Sequence, residues 1–221
     1  MARLPLFPLG TVLFPGVRLP LQVFEPRYVQ LLGDLAALPP AERAFGVVTL
    51  RRGNEVGADA SPELATVGTA ARLTSIRRAA GGPTGVVLVI ETVGERRFRL
   101  DSFAADETPY FVGDVTWLED AASDPVDLAR AAARASAAYD LYRTATGGPA
   151  VPPAVPVELL AFAIAETVAL PVADRQSVLD AGDPVRRLAL VARLLQRETL
   201  LVGGLRLAPT ERYDFGAPSA N

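Results

Sequence analysis

The fold of this chain is decided near its start by the stretch LPLFPLGTVLFPGVRLPLQVFEPRY, residues 4–28. Prolines and glycines cut its apolar residues into three runs that predict short strands, at residues 4–7, 11–14 and 19–23. Prolines inside such runs confine the strands to edges, bulges or strand starts. Pro26 then suits the first position of a helix, which the spacing of the apolar residues extends through Leu38.

Beyond this stretch, the sequence predicts strands first and helices afterwards, which is an α+β protein. Five further apolar or alternating segments predict strands, at residues 44–51, 67–76, 86–91, 95–102 and 110–118. Many short strands with a single helix favour a compact, partly closed barrel. Alanine-rich helical patterns follow, and they predict helices that begin at Pro125, span residues 157–168 and 172–180, and begin again at Pro184.

The change from strand patterns to alanine-rich helical patterns predicts two subdomains and a tail. We expect a β-rich part at residues 1–119, a helical bundle at residues 120–207 and a flexible tail at residues 208–221. The segment 157–168 is apolar on most of its surface, so either the bundle or a partner chain should enclose it. The sequence therefore leaves open whether this protein forms a homo-oligomer.

The composition excludes most catalytic machinery. All 22 basic residues are arginine, and the chain contains no lysine, histidine or cysteine. A Walker ATPase loop, a Ser-Lys dyad, a Ser-His or Cys-His nucleophile and a thiolate zinc site are therefore excluded. The composition still allows a catalytic or metal site built from carboxylates. The adjacent acidic pairs at residues 106–107 and 119–120 are, however, interpreted as solvated loop charges. We expect no enzyme activity, no cofactor and no metal.

Charge and patterning indicate an ordinary cytoplasmic protein. The formal net charge is −3, which does not indicate a general attraction to nucleic acid. The lack of cysteine fits a reducing compartment. Prolines interrupt the apolar N-terminus, so we expect no secretory signal, and the most apolar region, residues 151–173, contains four prolines and two glutamates. We therefore expect no membrane contact.

The opening stretch closely resembles the start of the Lon protease N-terminal domain, the LON substrate-binding domain. Further segments resemble strands and helices of the same family, at residues 45–50, 67–73, 95–100, 109–115, 174–180 and 186–198. The resemblance implies a PUA-like, mixed or antiparallel barrel-like sheet followed by a helical bundle. It also implies a free-standing, non-catalytic relative of the peptidase S16 family without ATPase or peptidase domains.

From this resemblance we expect a protein that recognises unfolded or degron-bearing polypeptides, as an adaptor for a separate ATP-dependent protease. Shallow apolar patches or an exposed strand edge would make the contacts. The residues predicted to bind polypeptide are Phe14, Leu21, Phe24, Glu25, Arg27 and Tyr28. A structural interpretation competes with this one, because Phe24 and Tyr28 could instead anchor the first helix to the barrel.

The alternative hypothesis is an RNA-binding PUA-like protein. Its candidate phosphate contacts are the arginine doublets Arg51, Arg52, Arg77 and Arg78, which we place at strand ends. Each doublet is short and the chain is acidic overall, so solvated strand ends are the simpler interpretation.

Overall fold

The structure is a computed structural model, which describes residues 2–52, 62–80, 86–105, 108–149 and 151–207. Within them, seven strands and five α-helices follow one another along the chain. The strands are β1 (Ala2–Leu9), β2 (Arg18–Val23), β3 (Ala44–Arg52), β4 (Glu63–Leu64), β5 (Val67–Ala80), β6 (Val86–Ala104) and β7 (Val112–Trp117). The helices are α1 (Pro26–Ala36), α2 (Pro125–Thr146), α3 (Leu160–Thr167), α4 (Val172–Asp180) and α5 (Pro184–Leu207).

Five strands close into a barrel. The order β1-β7-β6-β5-β3 returns to β1, because β1 pairs antiparallel with β7 through residues 2–5 and parallel with β3 through residues 6–9. The long strand β6 pairs with β5 along most of its length, with β7 near its end and with β2 near its start. The predicted α+β class, with a mixed barrel-like sheet followed by helices, is confirmed. The kinship with PUA-like folds stays an expectation.

Three apolar cores hold these elements together. One packs α1 against the sheet, a second lies among the barrel strands, and a third fills the bundle of α2 to α5. The bundle core also encloses α3, as predicted from its apolar surface. In the described part of the chain, the strands end by residue 117 and α2 begins at residue 125. The position of a domain boundary between them stays a prediction.

The structure corrects two predictions about strands. Residues 11–14 form no strand, although Val12, Leu13 and Phe14 are buried. Side chains satisfy two of their backbone oxygens instead, since Thr69 Oγ1 donates to Leu13 O at 2.6 Å and Arg175 Nη2 donates to Val12 O at 3.3 Å. The two strands predicted at 86–91 and 95–102 are one strand, β6.

A glycine in the middle of β6 explains both corrections. A side chain at Gly94 would place its Cβ 2.2 Å from the Phe14 oxygen, so only glycine lets the irregular segment cross the strand this closely. The crossing is fastened by backbone bonds from Gly16 N to Gly94 O and from Gly94 N to Val17 O. Gly94 therefore does not end the strand, as its sequence context suggested, but accommodates a neighbour.

A cluster of two buried arginines and one partly exposed aspartate joins the barrel to the bundle. Arg97 of β6 and Arg187 of α5 are 5% and 0% exposed, and both bind Asp120, in the loop before α2. Arg97 Nη2 donates to Asp120 Oδ1 at 2.6 Å, and Arg187 Nη1 donates to the same oxygen at 2.7 Å. Arg97 also donates to the Leu179 and Ala181 carbonyls at the end of α4, at 2.7 and 2.8 Å.

This cluster corrects the prediction made for Asp120. The sequence predicts Asp120, like Glu119, as a solvated loop charge, but the structure makes it the counter-ion of two buried arginines. Glu119 and Arg96 are exposed, with Arg96 Nη2 3.6 Å from Glu119 Oε1, whereas Arg97 is buried, and Asp120, although its side chain is 35% exposed, pairs with both buried arginines. The reason is the alternation of side chains along β6, which turns Arg97 toward the bundle when Arg96 faces water.

We predict that Asp120→Asn destabilises the protein by about 2 to 3 kcal/mol, because two buried guanidinium groups lose their shared counter-charge. This loss of stability is smaller than is usual for a fully buried ion pair, because the Asp120 side chain is 35% exposed. Urea unfolding measures the effect. Glu119→Gln is the matched control, and we expect it to change stability by less than about 0.5 kcal/mol. Equal effects of the two variants would contradict the structural role of Asp120.

The same cluster predicts an acid dependence of stability. Burial alone would raise the pKa of Asp120, but the hydrogen bond and charge of Arg187 and those of Arg97 lower it below its ordinary value. A carboxylate with a lowered pKa in the folded state contributes stability above its unfolded pKa and loses it as the pH falls through the folded pKa. The difference in unfolding free energy between wild type and Asp120→Asn should therefore shrink as the pH falls below about 4. A constant difference between pH 7 and pH 2 would contradict this assignment.

Candidate polypeptide-binding surface

A small slot opens beside the barrel, between the end of β1 and strand β2. Among the described strands, the last four residues of β1 pair only with β3, and β2 pairs only with β6. The space between them has a volume of about 200 Å³. We call it the β1–β2 slot, and its lining residues are Phe7, Leu9, Leu21, Gln22, Val23, Phe24, Glu25 and Tyr28.

The floor of the slot is aromatic and rigid. The rings of Phe7 and Tyr28 stack with their centroids 3.9 Å apart and an interplanar angle of 12°. Both residues are buried, so this stack also anchors α1 to the sheet. Leu21 and Phe24 are half-buried at the mouth of the slot. They therefore offer apolar surface from which a bound side chain could exclude water.

The rim beside the slot carries a neutralised ion pair. Arg27 contacts the Glu25 carboxylate through Nε at 3.1 Å and Nη2 at 3.0 Å, and each side chain is only 18% exposed. The Arg27 guanidinium carbon also lies 4.6 Å from the centroid of the Tyr28 ring. Because the two charges compensate each other and hold the ring in place, the rim favours an apolar ligand over a strongly charged one.

The outer edge of β2 offers backbone groups for another strand. The bond from Gly94 N to Val17 O begins the β2–β6 ladder, so the alternation of an antiparallel pair places residues 19, 21 and 23 in hydrogen-bonded pairs with β6. Residues 18, 20 and 22 then turn their backbone groups outward. Pro20 has no N–H to offer, which is the usual place of proline in an edge strand. Gln22 supplies the outward N–H nearest the slot.

The structure brings together most of the residues predicted to bind polypeptide. Leu21, Phe24, Glu25 and Tyr28 line the slot, and Arg27 lies directly beside it. Sequence reasoning missed Phe7, Leu9, Gln22 and Val23. A polar Gln22 between Leu21 and Val23 was the available signal for an edge strand with one solvated face.

Phe14 does not belong to this surface. It is 0% exposed and stacks on Phe162 of α3, with the ring centroids 5.3 Å apart. The Arg175 guanidinium carbon covers its other side at 4.9 Å from the ring centroid. Phe14 therefore fills the core of the helical bundle and cannot reach a ligand.

The arginines proposed to contact RNA do not form one patch. Arg51, Arg77 and Arg78 are exposed, while the side chain of Arg52 lies outside what the structure describes. Arg72 of β5 pairs with Ala44 at the start of β3, whereas Arg51 lies seven residues further along β3, and Arg77 lies five residues beyond Arg72 in the opposite direction. Arg77 is then twelve residues, or about 40 Å of strand, away from Arg51. Arg77 and Arg78 also point to opposite faces of β5, because they are adjacent in a strand.

The described residues include neither a helix that could span a membrane nor a metal-binding cluster of acidic side chains. No helix in this part of the chain is both long and apolar enough to span a bilayer. Within the same residues, no group of three or more acidic side chains is arranged to hold a metal ion.

The comparison with known families matches residues 3–197 to the ATP-dependent protease La (LON) substrate-binding domain. The chain is 32% identical over 207 residues to the Lon protease of Anaeromyxobacter dehalogenans and 32% identical over 205 residues to Lon protease 2 of Myxococcus xanthus. These matches cover 89% and 88% of this chain but 23% and 24% of the relatives. The chain thus spans about a quarter of the length of these relatives.

Solved structures agree with the sequence matches. The Lon N-terminal domain protein of Xanthomonas campestris superposes with a TM-score of 0.60 at 31% identity, covering 89% of this chain and 98% of that one. The N-terminal domain of the Mycobacterium avium complex Lon protease gives a TM-score of 0.60 at 16% identity, covering 90% and 98%, and supports the fold alone. The match over nearly the whole length, together with the shared architecture, shows that this chain belongs to the LON substrate-binding domain family.

Proposed function

We propose that this protein is a non-enzymatic recognition module, which binds unfolded or degron-bearing polypeptides at the β1–β2 slot and the outer edge of β2. Membership of a substrate-binding domain family supports a role in recognising substrates. The observation that carries the proposal is the position of the slot, which lies between the last four residues of β1 and strand β2, and each of these segments pairs on one side only among the described strands.

Unfolded polypeptides expose two kinds of group that this surface can bind. They expose backbone groups without partners, which can pair with an outward-facing strand edge. They also expose apolar side chains, and burying one of them in the slot would contribute about 1.5 to 3 kcal/mol. A folded protein has already paired and buried these groups, so it should bind less well.

The energies also predict weak, reversible binding. The ordering of a flexible ligand and its lost translational freedom offset much of the gain from one side chain and a few hydrogen bonds. A single site of this size therefore suits transient capture. Capture followed by release is what an adaptor for a separate ATP-dependent protease requires, and we propose that role here. The chain itself contains no lysine for an ATPase loop or a Ser-Lys dyad.

We expect Leu21→Asp to weaken binding of an unfolded protein by about tenfold or more, because a charge at the mouth of the slot opposes burial of an apolar side chain. The probe is a reduced and alkylated protein that stays unfolded, compared with its oxidised, folded form by fluorescence anisotropy. Leu38→Asp, at a leucine that is 39% exposed just beyond α1, is the matched control and should bind like the wild type. Equal binding of the folded and unfolded forms to the wild type would disprove the proposal.

A second prediction tests the strand edge separately from the slot. Gln22→Pro removes the outward N–H but leaves the bonds between β2 and β6 in place, so binding should fall by about fivefold, as expected for one hydrogen bond of about 1 kcal/mol. Gln22→Ala keeps the N–H and should bind like the wild type. Thermal unfolding of both variants checks that the fold is retained. If Gln22→Ala weakened binding as much as Gln22→Pro, the side chain and not the strand edge would make the contact.

A further inference from the structure

A second and larger groove lies on the helical bundle, between α2 and α5. Its volume is about 640 Å³, and it is separate from the β1–β2 slot, with which it shares no lining residue. We call it the α2–α5 groove. Six of its lining residues carry the argument, namely Arg130, Ala131, Arg134, Val185, Leu190 and Arg193.

The groove is positively charged in a protein that is acidic overall. Four arginines line it against one carboxylate, Asp127, and a second carboxylate, Asp183, pairs with Arg186 at 3.1 Å, which leaves a formal charge of +2, whereas the whole chain carries −3. Arg130 is paired with Asp127 at 2.5 Å. Arg134 and Arg193 are exposed and have no hydrogen bond or ion pair with any described residue. These two guanidinium groups are therefore available to an anionic ligand.

The floor of the groove is apolar and incompletely buried. Ala131, Val185 and Leu190 are half-buried there, and Ala189 is exposed at the edge. A ligand that covered them would remove apolar surface from water, which favours binding. Among the described residues, none of those that line the groove is aromatic. It therefore lacks the stacking platforms with which proteins hold the bases of single-stranded nucleic acid.

The walls of the groove restrict the backbone conformation of its ligand. Both walls are helices, whose backbone N–H and C=O groups bond to one another within the helix. The first turns of both helices are also capped, since Asp124 accepts from Val126 N at 2.8 Å and Asp183 accepts from Arg186 N at 2.8 Å. An extended peptide would find few backbone partners here. A helix brings its own backbone bonds and can pack its side chains into the groove.

We propose that the α2–α5 groove binds an acidic, amphipathic helix of a partner protein. The apolar face of that helix packs on Ala131, Val185 and Leu190, and its carboxylates pair with Arg134 and Arg193. The groove is thus a docking surface for another protein and is independent of the capture of unfolded polypeptide proposed above.

The test uses a synthetic helical peptide as the probe, because the natural partner is unidentified. A labelled peptide of about 18 residues carries leucines along one face and glutamates beside them, a length at which packing can sustain a helix. A second peptide has glutamine in place of every glutamate. Fluorescence anisotropy with the full chain should show at least about tenfold tighter binding of the acidic peptide, with an affinity that falls as salt increases.

Matched variants locate the binding site. Arg134→Glu with Arg193→Glu should weaken binding of the acidic peptide by at least about tenfold. Arg77→Glu with Arg78→Glu changes the net charge equally but lies on β5, and it should leave the affinity within about twofold of the wild type. Ala189→Trp fills the groove without changing charge, and it should also weaken binding by about tenfold.

Three outcomes would overturn the proposal. The first is equal binding of the acidic and glutamine peptides. The second is an equal loss in both double-arginine variants, since this would reflect net charge alone. The third is a different ligand in the groove, detected either as binding of a polyuridine RNA or as self-association in sedimentation velocity, with the same dependence on Arg134 and Arg193. Hydrogen exchange that slows in α2 and α5 on addition of the acidic peptide would support the assigned site.

Discussion

The architecture depends on one buried electrostatic contact, in which Asp120 holds Arg97 of the barrel and Arg187 of the bundle. Two guanidinium groups so close together repel each other, and burial together with the Arg187 charge lowers the pKa of Arg97. A single carboxylate placed between them offsets part of this repulsion. The apolar cores give each part its stability, but non-directional burial does not fix how the two parts are oriented. The directional hydrogen bonds of this cluster fix that orientation, because they connect a strand and a helix to the same carboxylate in the loop before α2.

Other buried polar groups also orient elements that apolar contacts hold together. Gln176 of α4 is 6% exposed and donates to Val67 O on β5 at 3.0 Å, while its oxygen accepts from Thr49 Oγ1 of β3 at 2.7 Å. Tyr110 similarly donates to Asp34 of α1 at 2.7 Å. Burial and the Asp34 carboxylate raise the pKa of Tyr110 to about 12, so the phenol keeps the proton of this bond in any ordinary buffer. Helices are thus oriented on the sheet by a few satisfied polar contacts.

The two surfaces described above differ because their supporting elements differ. The β1–β2 slot lies where two strands diverge, so it combines outward-facing backbone groups with an apolar floor, and these are the features that an unfolded segment can use. The α2–α5 groove lies between helices, so its chemistry comes from side chains alone. On the two proposals above, the strand edge binds a flexible ligand and the basic helical groove, on a separate part of the fold, binds a structured partner.

Whether the sequence alone could predict a feature depends on how far apart along the chain its interacting residues lie. The helices starting at Pro26, Pro125 and Pro184, most of the strands and the α+β class were predictable, because proline geometry, capping and hydrophobic periodicity act over a few residues. The absence of lysine, histidine and cysteine excluded whole classes of chemistry without any structure. The stretch at residues 4–28 also contains all eight residues that line the slot. Only the tertiary structure decided that Phe14 is core, that Gly94 sits inside one long strand, that Asp120 is a counter-ion and that the arginine doublets are far apart. Each of these depends on which distant residues pack together, and pairing across 56 to 82 residues, as between Thr69 and Leu13 or Arg97 and Leu179, has no local signature in the chain.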